Sequence, residues 1–281
     1  MTSLSFRMTA LAATATLLSF VPVSRAADPL RVVFKGGRSL PVEALTIENG
    51  QFKVLAGQDN FTTGQVFKTD LADYISGEKP EAINRGIAFV LLDKPVEAIS
   101  QLEPVLNSQK VTAAIQGNYW IETARALLVA YARIGNNAKM EALGKELADA
   151  TPESGVDAGM LLAKAIALPL STKLDERLNA YGDLLDDKNP AEVSAYAAFF
   201  RANFLARAKK ETEALQSYLA VPCLYPTGGN VINGAAELFA SEFLAKQSRR
   251  EEAVALLQAA IHDAPGTAVA DEAKKRLDSL K

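Results

Sequence analysis

Residues 235–265 read AAELFASEFLAKQSRREEAVALLQAAIHDAP, and this stretch decides the fold. Its apolar residues recur every three or four positions on both sides of a polar break at 247–250. That spacing puts them on one face of each of two consecutive helices. The stretch holds small residues at Ser241, Ala253 and Ala260 and large ones at Leu244 and Leu257. Small side chains let helices approach closely, large ones fill the space alongside, and Pro265 stops the second helix.

From Pro80 to the C-terminus the same period holds. Runs of helical length are separated by short Gly, Asn, Pro or Asp breaks. Pro80, Pro95 and Pro190 fall at expected helix starts, where a missing N–H costs nothing. Gly135 and residues 186–189 fall at expected stops. No strand pattern occurs in this part, so it is expected to be an array of antiparallel helix hairpins.

The pattern of 235–265 returns at intervals. Laid over 195–226 it selects Ala202, Leu205, Ala214, Tyr218, Val221 and Pro226. Over 81–106 it selects Gly86, Phe89, Ala98, Leu102 and Val105, and over 121–152 Tyr131, Gly135, Met140 and Pro152. Residues 153–190 match only by length and by Pro190. The unit centres Ala98, Met140, Leu178, Ala214 and Ala253 lie 42, 38, 36 and 39 residues apart. The alternation of small and large residues, closed by proline, resembles the tetratricopeptide repeat (TPR), with units longer than the family's usual ~34 residues. The resemblance covers about two thirds of the chain. It implies a helical-hairpin solenoid over 77–264 that binds proteins, and it carries no catalytic signature. The tail PGTAVADEAKKRLDSLK, residues 265–281, looks like the polar closing helix of envelope TPR proteins, which keeps a solenoid soluble.

Residues 27–76 have a different character. LRVVF, SLPVEALTI, QFKVL and FTTGQVF are β-branched or aromatic runs. Asn49 and Gly50 between two of them signal a tight hairpin, since both central residues need positive φ. About four short strands are expected, as a meander or a small SH3- or Sm-like barrel. Gly36 and Gly37, flanked by Lys35 and Arg38, lack phosphate-loop spacing and read as a hairpin turn. The fold class is therefore mainly α: a TPR-like helical-hairpin solenoid preceded by a small β module.

The N-terminus reads MTSLSFRMTALAATATLLSFVPVSRAADP. Arg7 precedes an apolar run over 8–23, and Ser24 and Ala26 form a small-x-small site. This is the pattern of a secretory signal over 1–26, cleaved after Ala26. A periplasmic product without a transmembrane segment is expected, a secreted one being the alternative. The chain has 281 residues, 49% of them apolar, with 30 basic and 33 acidic side chains. It lacks the basic excess of a nucleic-acid binder. One Cys and one His leave no internal disulfide and no Cys/His metal centre. Cys223 reads as a small buried hydrophobe, or alternatively as half of an intermolecular disulfide.

No catalytic residue, metal ligand or cofactor is expected. His262 sits in the last turn of a helix, where the dipole favours a cation. Asp183, Asp186 and Asp187 lack the spacing of a hydrolase pair. Tyr119 and Trp120 open a helix and are expected to pack between units. Thr227, Gly228, Gly229 and Asn230 read as a connector before a helix. The resemblance places the concave-face positions of the first helices at Arg125, Arg133, Tyr196, Phe199, Asn203, Arg207, Glu242 and Lys246, with Glu122 beside them. Such a groove, with a basic stripe and aromatic anchors, suits an extended peptide or a chain end with a free carboxylate. The function expected is a non-catalytic interaction scaffold of the bacterial cell envelope with a protein or peptide partner. A glycan- or peptidoglycan-binding accessory protein is the alternative.

Overall fold

The computed structural model describes residues 28–151, 155–169 and 171–280. The expected signal, 1–26, and Pro152 of the repeat pattern lie outside the described residues. Six short strands come first, β1 Arg31–Phe34, β2 Ser39–Pro41, β3 Leu45–Glu48, β4 Gln51–Val54, β5 Val66–Lys68 and β6 Ala72–Ser76. They form two three-stranded antiparallel sheets, ordered β2-β1-β6 and β3-β4-β5. Asn49 and Gly50 both have positive φ and turn β3 into β4, and Gly36 and Gly37 do the same between β1 and β2. Two runs depart from expectation. In FTTGQVF only the end is a strand, because Phe61 turns inward before the chain straightens. The sixth strand, ADYIS, has little apolar alternation and is held by pairing with β1.

The two sheets share one core. Phe34, Phe52, Phe61 and Phe67 have ring centroids 4.9–6.1 Å apart, within the range of favourable aromatic contact. Ile115 is buried in the same core, with Val111 packed against it. Both come from the helical part, and Ile75 N–H donates to Gln116 O at 3.1 Å. The β module is thus docked on the helices through residues 111–116.

Eleven α-helices follow among the described residues: α1 Glu81–Leu91, α2 Pro95–Gln109, α3 Trp120–Ile134, α4 Asn137–Ala150, α5 Ala158–Ala167, α6 Leu174–Gly182, α7 Ala191–Arg207, α8 Glu211–Leu224, α9 Asn230–Lys246, α10 Arg250–Asp263 and α11 Ala268–Ser279. Pro80 and Pro190 cap α1 and α7, and Pro95 opens α2. None of these helices is long and apolar enough to cross a membrane.

Four hairpins, α1/α2, α3/α4, α7/α8 and α9/α10, share one turn. Asp93, Gly135, Lys209 and Ser248 stand at φ between 60° and 70°. The next N–H in each turns back five residues: Lys94 to Phe89 O, Asn136 to Tyr131 O, Lys210 to Leu205 O and Arg249 to Leu244 O, at 2.8–2.9 Å. This left-handed closure satisfies carbonyls that the helix end leaves open. Close crossings sit where the small residues were read. A Cβ on Gly86 would lie 2.4 Å from Leu102 Cγ, and Ser241, Ala253 and Ala260 are buried. Among its described residues the α5/α6 hairpin shows no such turn, in line with the weak repeat pattern there.

Neighbouring helices pack in sequence, and α11 lies on α9 and α10 through Val269, Ala270 and Ala273. The chain also curls back, because α1 packs against α9 and α11. One continuous apolar core runs from α1 to α11.

Candidate functional site

The curl of the helices encloses a cavity of about 330 Å³ between the turn after α1 and helices α3, α7, α8 and α9. Phe200, Tyr218, Phe239 and Phe243 supply its apolar wall, and Asp93, Arg133, Asn203, Arg207 and Glu242 its polar lining. Each polar group is delivered by a regular feature. Arg133 and Arg207 occupy the last turns of α3 and α7, where a cation meets the negative end of the helix dipole. Asp93 is the left-handed residue of the α1/α2 turn, so its carboxylate projects from the hairpin tip. Asp93 pairs with Arg133 and, at 3.6 Å, with Arg207.

On the opposite wall, Glu242 pairs with Arg276 of α11. Tyr218 Oη donates to Asn203 Oδ1 at 2.5 Å, and burial pushes that phenol above its usual range. Lys246 is exposed, with Nζ 5.2 Å from the Phe243 ring centroid, a cation–π contact. Arg133, Asn203, Arg207 and Glu242 are therefore brought to one place, and Lys246 lies outside the lining, over the Phe243 ring. The space is of side-chain size, and Val90, Leu91 and Leu92 at the end of α1 form one side of it.

Three expected groove residues are placed elsewhere. Tyr196 and Phe199 are fully buried, Tyr196 stacked on Phe200 and Phe199 edge-on to Phe200, Tyr218 and Phe239. On α7 the apolar face is so wide that positions lining a groove in a more amphipathic helix become core. Arg125 forms a bridge between helices. It grips Asp157, the N-cap of α5, at 2.7 and 3.2 Å, and reaches Glu192 of α7 at 3.4 Å. A Cβ on Gly159 would lie 2.6 Å from Arg125 Cγ, so the arginine stem needs a glycine there.

Around Arg125 lies a second polar cluster. Lys79 donates to Glu122 at 2.5 Å. Glu192 keeps one carboxylate oxygen, and Tyr196 its hydroxyl, buried without a hydrogen-bond partner among the described residues. Burial, reinforced by Glu122, raises the Glu192 carboxyl to about 8 against the pull of Arg125. Burial likewise raises Tyr196 well above the usual phenol range.

The remaining sequence candidates have quieter settings. His262 is exposed in the last turn of α10, with Nδ1 2.9 Å from Asp263 Oδ1. Asp183, Asp186 and Asp187 are exposed, and the Lys188 backbone N–H lowers the Asp186 carboxyl. Residues 226–228 form a 3₁₀ turn and Gly229 caps α9. Trp120 is buried at the start of α3. Cys223 corrects the buried reading: it is exposed on the last turn of α8, beside Leu224.

Sequence reasoning passed over Asp93 and Glu192. The signal for Asp93 was an acidic residue at a turn position where Gly135 stands in the next hairpin. Glu192, two residues after Pro190, reads as an ordinary first-turn acid. The chain matches no family model, no curated protein and no solved structure.

Proposed function

We propose that this chain is an exported, non-catalytic interaction scaffold of the bacterial cell envelope. In this reading residues 1–26 direct export to the periplasm and are removed. The helices form a degenerate TPR-like array, and the two sheets around one phenylalanine core form a small barrel. The four identical left-handed turns, at the same place in each repeat pattern, support the TPR-like reading. The ligand is a protein partner that offers a carboxylate, as a chain end or an acidic side chain, to the cavity beside α3 and α7.

The convergence of Arg133 and Arg207 on one carboxylate carries this reading. Asp93 already occupies the position that a partner's carboxylate would take, and Arg207, 58% exposed, is the half of the site open to exchange. Two arginines facing an aromatic wall are suited to bidentate recognition of a carboxylate. The cavity, at about 330 Å³, admits one side chain or a chain end but no folded surface.

The experiment is photo-crosslinking in cells from position 246 of the exported protein, beside the cavity-lining Phe243, with and without Arg207→Glu. A small set of envelope proteins captured at 246 and lost with the charge reversal is expected. Capture of bulk protein alone, or of a set unchanged by the reversal, would overturn the proposal. Retention on cell-wall sacculi in place of protein capture would favour a glycan ligand.

A further inference from the structure

A second cleft, of about 610 Å³, lies where the β module meets the helices, between β3 and the ends of α2, α3 and α4. It is distinct from the arginine cavity. We propose that it binds an extended segment of a partner protein carrying an apolar side chain and, two residues away, a lysine or arginine. The segment adds as a strand to the outer edge of β3.

The first observation is a gap in the core of the β module. Ile47, Phe52 and Phe67 face one another across β3, β4 and β5, so all three lie on the inner face. Phe52 and Phe67 belong to the phenylalanine core. Ile47 is 47% exposed and lines the cleft opposite Val111 and Trp120. An inward-facing isoleucine left open at the end of a covered row is a place for one more apolar side chain.

The second is an unused strand edge. β3 is the outer strand of its sheet. Among the described residues, Leu45 N–H closes back on Val42 O, and the backbone groups of 46–48 make no hydrogen bond beyond the β3–β4 ladder. An edge of this kind accepts an extended peptide through main-chain hydrogen bonds, while alternate side chains enter adjoining pockets.

The third is an unpartnered donor. Trp120 is 1% exposed and lines the cleft, and its indole N–H has no acceptor among the described residues. A buried donor without an acceptor is rare in folded proteins, and a peptide carbonyl in the cleft would supply one.

The fourth is charge. α4 ends at the cleft with Glu146 and Asp149 near its C-terminus and no basic residue in its last turn. Acidic groups there oppose the helix dipole. Lys110 pairs with Glu146 at 3.0 Å, and Asp149 has no ion pair among the described residues. A cation on the bound segment would complete this rim. Residues two apart on a strand face the same side, so one face of the segment supplies both the apolar and the basic side chain.

The sole tryptophan of the chain is Trp120, so its emission reads the cleft directly. The test titrates the full chain with the heptapeptide TTLTKTT and with two controls, TTGTKTT and TTLTETT. A saturable change in emission with TTLTKTT is expected, weakened about tenfold or more by either control, by Ile47→Glu and by Asp149→Lys. The Asp149→Lys variant should in turn prefer TTLTETT, which keeps the test valid should Ile47→Glu fail to fold. Arg207→Glu, in the other cavity, should leave this titration unchanged. Absence of a saturable change, or equal binding by folded Ile47→Glu, would overturn the proposal. A concentration-dependent dimer abolished by Ile47→Glu would also overturn it, assigning the face to a second copy of the chain.

Discussion

In the α9/α10 hairpin the backbone makes the reversal. Ser248 takes the left-handed conformation, Arg249 N–H closes on Leu244 O at 2.9 Å, and a Cβ on Gly234 would lie 3.1 Å from Ala260 O. In the α5/α6 hairpin charged side chains hold the chain in place. Arg177, buried and lying over the Phe204 ring, donates to Leu168 O at 3.0 Å and Pro169 O at 2.5 Å. Asp157 caps α5 and is gripped by Arg125. Where the small–large pattern is present, apolar packing and one turn residue suffice. Where it lapses, ion pairs and side-chain-to-carbonyl bonds do the same task, at the cost of burying charge.

This difference predicts where the molecule breaks most easily. Arg125→Met would leave the Asp157 carboxylate, 1% exposed, without its cation. Removing one member of a buried pair costs about 3–5 kcal/mol, a large share of a domain's ~5–15 kcal/mol. Urea unfolding should show that loss. A change below about 1 kcal/mol would mean that the junction is wet and weakly coupled.

The next effect is on pH dependence. The Glu192 carboxyl is raised from 4.5 to about 8, so over that window the folded protein holds a proton that the unfolded chain has released. Stability then falls as pH rises, because the folded state binds more protons. Unfolding free energy should drop by about 3 kcal/mol between pH 5 and pH 8. Glu237, raised by burial to about 7, adds in the same direction. Glu192→Gln should flatten most of the slope and be more stable than wild type at pH 8. A wild-type profile that is level or rising over this range would refute the account.

Arg177→Met tests the α5/α6 hairpin itself. The substitution keeps an apolar stem over Phe204 but leaves two carbonyls without their donor, for an expected loss of about 1–3 kcal/mol. Hydrogen exchange should concentrate the loss in α5 and α6, since weak local closure exposes its own unit first.

How much of this was legible in the sequence follows the same division. The regular hairpins could be read because their closure is written in residue size: Gly86 against Leu102, and Ser241, Ala253 and Ala260 at buried crossings. The Asn49–Gly50 turn was legible for the same reason, since few residues tolerate its backbone. The candidate cavity was half legible. Arg133, Asn203, Arg207 and Glu242 reach one cavity because the period sets which face of each helix they occupy. Tyr196 and Phe199 went to the core because periodicity alone does not say how wide the buried stripe of α7 is. Asp93 was hidden because it arrives through the curl of α1 onto α9, a long-range packing outcome that no local pattern encodes. Arg125, Asp157 and Glu192 are 32 and 35 residues apart in the chain, and their union depends on how the irregular hairpin docks.

The smallest predicted effects are the most discriminating, because the four left-handed turns form a matched set. Gly135 stands at φ 70°, and a Cβ there would meet nothing within 4 Å. Gly135→Ala therefore costs only the backbone strain of an L-residue, about 1 kcal/mol. Ser248→Gly and Lys209→Gly, at φ 62°, should relieve that strain and gain about 0.5–1 kcal/mol, less the added freedom of the unfolded chain. Asp93→Gly enjoys the same relief at φ 60° but also strips the carboxylate from Arg133 and Arg207. If Asp93 serves the turn alone, its thermal shift will match those of Ser248→Gly and Lys209→Gly. If it holds the two arginines, Asp93→Gly will fall below them, and the deficit will shrink on adding a small dicarboxylate such as succinate. A dicarboxylate that stabilises Asp93→Gly and not Ser248→Gly would mark the arginine pair as a carboxylate site that the chain's own turn residue fills.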